Sequence, residues 1–222
     1  YNYFRTTDLL VSKRPDRYIA ISNEVKDRIN KYYHRQSTVI YPSIDDIFYS
    51  GNLTPINKRV YYLIVGRLIP YKRVDLAIQV FNTLKKPLIV VGVGSELNNL
   101  KNIAGNTIKF AGSVDDTELI KLYKNAKAVI FPQEEDFGLV PIESQACGTP
   151  VIAYGKGGAL ETVIENKTGI FFEKQSIESL TKAVNRFEKL SINPRDCRKN
   201  SLYFNSETFK NNFLDYLSNP PA

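Results

Sequence analysis

Six short apolar runs alternate with segments of helical periodicity from residue 61 onwards. The runs cover residues 61–65, 88–93, 107–111, 128–131, 151–153 and 169–172. Because almost every position in them is apolar, we interpret them as strands covered on both faces, as in a parallel sheet. Helical spacing is seen in Val74, Ala77, Ile78, Phe81 and Leu84, and again in 116–125 and 176–189. This alternation predicts an α/β fold with a doubly wound, mostly parallel, Rossmann-like sheet, whose ligand lies beyond the carboxyl ends of the strands.

The two ends of the chain depart from this pattern. Residues 17–22 and 38–41 are typical of short strands, and a helix is predicted between them over 23–33. We therefore divide the chain into a remnant of a neighbouring N-terminal domain (1–41), a polar linker (42–58), a ligand-binding domain (59–205), and a C-terminal helix and tail (206–222). The chain starts at Tyr1 and contains no methionine, which favours a fragment of a longer protein.

Composition narrows the function classes. The formal net charge of +7 indicates either a solvated basic surface or attraction to phosphate in a nucleotide, an anionic lipid or a nucleic acid. No apolar run reaches the roughly 18 residues of a spanning helix, and no secretory pattern is visible, so we expect a soluble, cytoplasmic protein. Two cysteines and one histidine argue against a disulfide scaffold, a histidine-rich metal site and a Ser-His-Asp triad.

The strongest candidate site follows the fourth apolar run. Glu135 lies in the loop after this strand, and Pro141 suits the first turn of a helix that would carry Glu143 near its third position. Two carboxylates beside the free N–H groups of residues 137–139 suit a polyhydroxylated ligand such as a sugar or a ribose. The structural alternative is that Glu143 caps the helix and Glu135 is solvated.

A second candidate follows the first apolar run. Arg67 and Lys72 flank a turn that leads into a helix. Cations are unfavourable near the positive end of a helix, so an anionic ligand such as a diphosphate would explain their position. The alternative is an ordinary basic loop.

Two further segments are weaker signals. The glycines of 155–158 let a backbone approach a ligand or simply turn the chain, and the segment 92–97 lacks the third glycine of a dinucleotide fingerprint. No Asp-x-Asp or Walker motif occurs, and His34 is interpreted as a surface residue. No combination of aromatic and basic residues indicates nucleic-acid binding, so that class is disfavoured.

Taken together and in order, these segments resemble the C-terminal donor domain of the family-four, retaining glycosyltransferases of GT-B architecture. They are GRLIPYKR, VGVGSE, FAGSVDDTELIKLYKNA, FPQEEDFGLVPIESQACGTPVIA, GGALETV and TGIFF. The resemblance covers about residues 60–190, and the E-x7-E spacing of Glu135 and Glu143 is the family hallmark. A minor departure is ESQACG at 143–148, where the family more often has EAMACG. Residues 14–45 are similar to the end of the family's acceptor-binding domain and the linker that follows it.

The resemblance implies a role for each matched residue. Arg67 and Lys72 would bind the donor diphosphate and stabilise charge on the leaving nucleotide, with Gly66 beside them. Glu135 would hold hydroxyls of the transferred sugar, and Glu143 would hold those of the ribose. The other implied contacts are the backbone of Phe137, Gly138 and Leu139 to the sugar, and the backbone near Val114 to the base. The resemblance implies no metal and no cofactor besides the nucleotide-diphosphosugar substrate.

The implied activity is transfer of a hexose, with retention, to a glycan or a lipid-linked acceptor. Fixed cations and N–H donors would stabilise the leaving diphosphate without a metal. Same-face attack assisted by that phosphate fits a sequence with no evident nucleophile. Similarity to mannosyltransferase-like members favours GDP-mannose as the donor.

The implied partners are the donor, the acceptor and an upstream acceptor-binding domain, but no nucleic acid. A peripheral contact with the inner face of the membrane stays open. The alternative function is a non-catalytic nucleotide-sugar-binding module that needs a separate acceptor-binding subunit.

Overall fold

The computed structural model describes residues 2–219 of the chain. Its strands are β1 (Ile19–Ala20), β2 (Thr38–Val39), β3 (Tyr61–Val65), β4 (Leu88–Val91), β5 (Ile108–Gly112), β6 (Ala126–Phe131), β7 (Val151–Tyr154) and β8 (Gly169–Phe172). Its α-helices are α1 (Asn2–Val11), α2 (Asn23–Tyr33), α3 (Val74–Leu84), α4 (Leu97–Ile103), α5 (Asp116–Asn125), α6 (Leu139–Ala146), α7 (Ala159–Thr162), α8 (Ile177–Phe187), α9 (Pro194–Ser201) and α10 (Ser206–Ser218). Short 3-10 helices cover Asp46–Tyr49, Ile56–Lys58, Pro70–Lys72 and Leu202–Phe204.

Six strands form the central sheet in the order β5-β4-β3-β6-β7-β8, and each neighbouring pair is parallel. The chain starts in the middle at β3, winds outwards to β5, returns to the middle at β6 and winds outwards again to β8. The predicted doubly wound, Rossmann-like α/β fold is therefore confirmed. In such sheets the ligand crevice lies where the winding reverses, here between the carboxyl ends of β3 and β6.

Both faces of the sheet are covered by helices. On β3, Tyr62 and Ile64 join a buried cluster with the apolar sides of α3 and α8, whereas Leu63 joins a second cluster with α5 and α6. Successive strand residues thus enter opposite cores, which explains why the apolar runs contain few polar positions. Together the two clusters fix the strand ends that carry the candidate residues.

In the main sheet, β4 ends earlier than predicted, where two glycines let neighbouring loops approach closely. The apolar run 88–93 predicts a strand to residue 93, but β4 ends at Val91. Gly92 has φ +133°, and a Cβ there would lie 1.9 Å from the carbonyl oxygen of Gly66. A Cβ on Gly94 would lie 2.2 Å from the carbonyl oxygen of Leu68. These glycines therefore allow the loops after β3 and β4 to pack together. This close packing accounts for both glycines, so they do not require a dinucleotide-binding site.

Residues before the main sheet form a small subassembly of their own. Strands β1 and β2 pair in parallel, but each is two residues long and so shorter than the predicted 17–22 and 38–41. The predicted bounds of α2 between them are confirmed. The exposed helix α1 was not predicted from the sequence. The expected polar linker is only partly polar, since Ile44 and Phe48 are buried in the core cluster beside α5 and α6. The domain boundaries at 41 and 58 remain predictions.

Arg59 holds the opposite, amino-terminal edge of the main sheet together. It is 2% exposed, and its guanidinium donates to the carbonyl oxygens of Thr54, Ala126 and Gly148 and to Oγ1 of Thr149. These acceptors lie in the segment before β3, at the start of β6 and just before β7. One buried cation thereby satisfies carbonyl groups from three segments of the chain.

The remaining features agree with the sequence interpretation where the structure describes them. Cys147 and Cys197 are buried free thiols, and burial raises the pKa of each to about 12. His34 is exposed at the end of α2. Among residues 2–219, no helix combines the length and apolarity needed to cross a membrane. The predicted C-terminal helix corresponds to α10, whereas Tyr1 and the end of the tail at 220–222 lie outside the described residues.

Candidate functional site

A cleft of about 720 Å³ opens at the point where the sheet reverses its winding. It is lined by Ile21, Pro42, Tyr71, Lys72, Phe131, Glu134, Glu135, Asp136, Phe137, Gly138, Leu139, Val140 and Glu143. Six of the nine predicted site residues, Lys72, Glu135, Phe137, Gly138, Leu139 and Glu143, therefore meet in one place. They come from the loop after β3, the loop after β6 and the first turns of α6.

A cation and a carboxylate meet across this crevice. Lys72 ends the 3-10 helix after β3, and its Nζ forms an ion pair with Oε1 of Glu135 in the loop after β6. Their side chains are only 14% and 22% exposed. Gln133 also donates from Nε2 to the same carboxylate oxygen at 3.1 Å. The pair is thus shielded from bulk water. Because the effective dielectric constant is lower there, the two charges attract each other more strongly than they would at an open surface.

Glu143 supplies a second, more deeply buried carboxylate. The phenol of Tyr123 on α5 donates to its Oε2 at 2.8 Å. Burial raises the pKa of Glu143, the hydrogen bond from Tyr123 opposes this shift, and the negative charge of Asp116 adds to it. Glu143 is the fifth residue of α6 and not near the third, because the helix begins at Leu139, two residues before Pro141.

The first turn of α6 adds hydrogen-bond donors to the cleft. Gly138 precedes the helix with φ +87° and makes no side-chain cap. Within the described chain, the N–H groups of residues 137–139 have no hydrogen-bond acceptor. Groups of this kind at a helix start bind anions or hydroxyl oxygens. The Phe137 ring itself faces the interior and stacks on Tyr41, with ring centroids 5.5 Å apart and planes inclined by 17°.

Three predicted site residues do not line the cleft. Arg67 and Gly66 directly follow β3 and so lie at the same edge of the sheet, but the Arg67 side chain is exposed and has no ion-pair or hydrogen-bond partner within residues 2–219. Val114 follows β5, which is the outer strand on that side, and it packs against the core cluster beside α5. Their ligand contacts remain predictions.

The glycines at 155–158 pack against the site instead of facing it. A Cβ on Gly157 would lie 2.4 Å from the carbonyl oxygen of Glu135, and one on Gly158 would lie 2.2 Å from Cα of Phe137. The N–H of Gly158 donates to the same Glu135 carbonyl at 2.8 Å. The loop before α7 is therefore a support for the loop that carries Glu135.

Two long-range contacts were not predicted from the sequence. Both carboxylate oxygens of Glu161 accept from the backbone N–H of Asn23, and Oε2 also accepts from its amide and from Tyr41. The second contact is an ion pair between Arg28 on α2 and Asp136 in the loop after β6. Glu161 occurs in the GGALETV segment, so the signal was present, but its partner lies 138 residues away in sequence.

The site combines the Lys72 cation, the carboxylates of Glu135 and Glu143 and several N–H donors at one rim, with Glu134 and Asp136 also lining the cleft. Such a set matches a ligand that carries both negative charge and hydroxyl groups. No cluster of three or more His, Cys, Asp or Glu side chains suited to a metal occurs in the part of the chain that is described. Independence from metal remains a prediction.

These features define an α/β domain with a ligand crevice at the switch point of its sheet. Residues 45–202 match the family model for glycosyl transferases group 1, and the chain belongs to that family.

Curated relatives support this assignment. The chain is 30% identical over 204 residues to the glycosyltransferase MJ1069 of Methanocaldococcus jannaschii, with 83% of this chain and 52% of the relative covered. It is 29% identical over 178 residues to D-inositol 3-phosphate glycosyltransferase of Mycobacterium bovis, with 71% and 37% covered. The chain thus spans about half, or less, of the length of these curated relatives.

Solved structures show the same fold. Sucrose-phosphate synthase of Thermosynechococcus elongatus superimposes with a TM-score of 0.85 at 22% identity, over 98% of this chain and 61% of that one. Anabaena Alr3699/HepE, solved in complex with UDP and glucose, gives 0.81 at 21% identity, over 98% and 68%. The predicted GT-B C-terminal domain fold is therefore confirmed.

Proposed function

We propose that this chain is the donor-binding part of a retaining glycosyltransferase that transfers a hexose from a nucleotide-diphosphosugar to a glycan or lipid-linked acceptor. The observation that carries the proposal is the meeting of Lys72, Glu135 and Glu143 in one cleft at the switch point. The family membership agrees with it, and so does the complex of Alr3699/HepE with UDP and glucose.

The roles follow from the chemistry of each group. In this proposal Lys72 binds the donor diphosphate and Arg67 approaches it from the same edge of the sheet. Glu135 accepts from hydroxyls of the transferred sugar, and Glu143 accepts from the ribose. When the glycosyl–phosphate bond breaks, negative charge grows on the diphosphate, where fixed cations and the N–H groups of 137–139 stabilise it.

The assembly of the site supports a role for residues 1–41 on the acceptor side. Ile21 and Pro42 line the donor cleft, and α2 is tied to its rim by the ion pair between Arg28 and Asp136. We propose that an upstream acceptor-binding domain continues from this subassembly and places the acceptor opposite Glu135. GDP-mannose is the donor we would test first, with UDP-glucose as its main competitor.

A thermal-shift panel tests the proposal on the chain as it stands. GDP-mannose, UDP-glucose and ADP-glucose are compared with the free nucleoside diphosphates at fixed ionic strength. A ligand at 100 times its Kd stabilises the folded state by about 2.7 kcal/mol, which raises Tm by several degrees. We expect one base to be preferred, with the sugar nucleotide giving a larger shift than the free diphosphate. Absence of any shift for a folded chain would overturn the proposal.

A further inference from the structure

Tyr123 on α5 is fully buried, and its hydroxyl group ends at the carboxylate of Glu143. Helix α5 runs away from the carboxyl edge of the sheet, and side chains on a helix point back towards its start. The phenol therefore extends towards the cleft from below and donates to Oε2 of Glu143 at 2.8 Å.

The ring of Tyr123 has little freedom to move. It belongs to the core cluster beside α5 and α6, and Phe48 contacts it edge to face with centroids 6.1 Å apart and planes inclined by 68°. Ile142, next to Glu143 on α6, is buried in the same cluster. A phenol fixed in this way defines a direction for the carboxylate that it contacts.

The two oxygens of Glu143 are in different situations. Oε2 accepts from Tyr123, whereas Oε1 has no donor among residues 2–219 although the residue lines the cleft. Glu143 is half-buried at the wall of the cleft, so solvent or a ligand in the cleft can supply the donor for this oxygen. The arrangement leaves one oxygen for a hydroxyl group that enters the cleft.

We propose that Tyr123 is a positioning residue, which holds Glu143 by Oε2 so that Oε1 is presented to the ribose of the donor. This inference rests on the proposed function, because it takes the ligand of Glu143 to be a ribose. It adds to that function a residue outside the cleft, which no contact with the ligand would reveal.

Tyr123 also favours the ionised form of the carboxylate, which is the form that accepts hydrogen bonds at both oxygens. Its hydrogen bond lowers the pKa of Glu143, against burial and the charge of Asp116, which raise it. The charge of Glu143 in turn contributes to the raised pKa of the buried Cys147 thiol. Without the phenol hydroxyl, Glu143 is expected to take up a proton at a higher pH and then to accept fewer hydrogen bonds from a ribose.

The test compares Tyr123→Phe with Tyr61→Phe. Tyr61 is a matched control because its ring packs against the same cluster. Its hydroxyl also donates a hydrogen bond, in this case to the carbonyl oxygen of Leu122 on α5. Both changes remove one hydroxyl and keep the ring, and thermal melting shows that each variant is folded. The probe is whichever of GDP, UDP and ADP binds the wild-type chain most tightly, together with its 2′,3′-dideoxy form.

For Tyr123→Phe we expect roughly a five- to tenfold loss of affinity for the nucleoside diphosphate at neutral pH, from a lost hydrogen bond to a charged group. As the pH is lowered, the affinity of Tyr123→Phe should begin to fall at a higher pH than the affinity of the wild type. The ratio of the affinity for the ribose form to the affinity for the dideoxy form should also be smaller in Tyr123→Phe. Tyr61→Phe should leave both properties unchanged.

A second measurement separates this inference from the proposed function. The titration of the Glu143 carboxyl carbon by NMR in the ligand-free chain needs no nucleotide, and we expect its midpoint to rise in Tyr123→Phe alone. Equal affinities and equal midpoints in the wild type and Tyr123→Phe would overturn the positioning role. If the midpoint of the Glu143 titration rises in Tyr123→Phe but the chain binds no nucleoside diphosphate, the proposal that Glu143 binds a ribose is wrong.

Discussion

Lys72 and Glu135 close the crevice between β3 and β6 with an ion pair, although they lie 63 residues apart in sequence. Each charge satisfies the other in this arrangement. A ligand with a diphosphate and a sugar can replace both halves of the pair, because phosphate takes a cation and sugar hydroxyls donate to a carboxylate. The pair thus marks where the two parts of the proposed donor separate.

The two glutamates should affect different parts of the donor. We expect Glu143→Ala to weaken binding of the free nucleoside diphosphate about tenfold or more, because it removes a charged acceptor. Glu135→Ala should leave that affinity unchanged and reduce only the gain in affinity that the sugar of the intact donor provides. Isothermal titration with free nucleotide and with intact sugar nucleotide measures the two effects. Glu118→Ala, on the exposed side of α5, is the control. Equal losses for both ligands in both variants would contradict the assignment.

Arg67 is expected to act on the diphosphate alone. Arg67→Gln should reduce affinity for the nucleoside diphosphate about tenfold while affinity for the nucleoside stays the same, because one charge-assisted contact is lost. Arg73→Gln removes a neighbouring cation that is already paired with Asp75 and serves as control. If the Arg67 variant binds the nucleoside just as poorly, the arginine has a structural role.

The close packing beneath the Glu135 loop predicts a steric effect. Gly158→Ala places a Cβ 2.2 Å from Cα of Phe137, so the backbone must shift and the free energy of unfolding should fall by about 1–3 kcal/mol. Gly155→Ala is a matched control, because the nearest atom to its Cβ is 3.4 Å away. Urea denaturation of both variants measures the difference, and similar stabilities would show that the loop yields easily.

Burial of Glu143 predicts a pH-dependent stability. The raised pKa means that the folded chain holds a proton at pH values above the ordinary 4.5 at which the unfolded chain releases it. Stability attributable to this group therefore falls as pH rises through the folded pKa. Glu143→Gln should raise Tm of the ligand-free chain at pH 7 to 8, and the gain should vanish below about pH 4.5. Melting curves across this range test it, and a gain that is independent of pH would exclude ionisation as the cause.

Glu161 should stabilise the start of α2. Its carboxylate accepts from the backbone N–H groups of Asn23 and Glu24, so Glu161→Gln removes a negative charge from a helix N-terminus and should lower stability by about 1–2 kcal/mol. Amide exchange at these two residues should accelerate. Glu178→Gln, which removes an exposed ion pair with Lys182, should leave that exchange unchanged. Unchanged exchange in the Glu161 variant would mean that other contacts hold the helix.

The main sheet was predictable because local patterns and the fold agree. The apolar spacing in α3 and the cap at Asp115 before α5 mark helices whose observed bounds match the expected segments. Likewise, the loops that carry the candidate residues were expected at one rim, since the carboxyl ends of parallel strands lie at the same edge of a sheet. The resemblance to the family therefore grouped Lys72, Glu135 and Glu143, and one cleft contains all three.

The features that were missed depend on contacts distant in sequence. Nothing near Glu161 indicates Asn23 as its partner, and nothing near Asp136 indicates Arg28. The position of Glu143 was wrong by about two residues because Gly138, and not Pro141, sets the start of α6. Tyr123 could have been found, since a tyrosine on the apolar side of a predicted helix requires a partner for its hydroxyl group.

The Arg59 network lies at the rim of the sheet that faces away from the cleft. The guanidinium unites three segments there without touching any group in the proposed donor site. The residues that stabilise the sheet and the residues proposed to bind the ligand therefore lie at opposite ends of the same strands. An engineer could rebuild one end, for instance to raise the melting temperature of the chain, without altering the residues proposed to bind the donor.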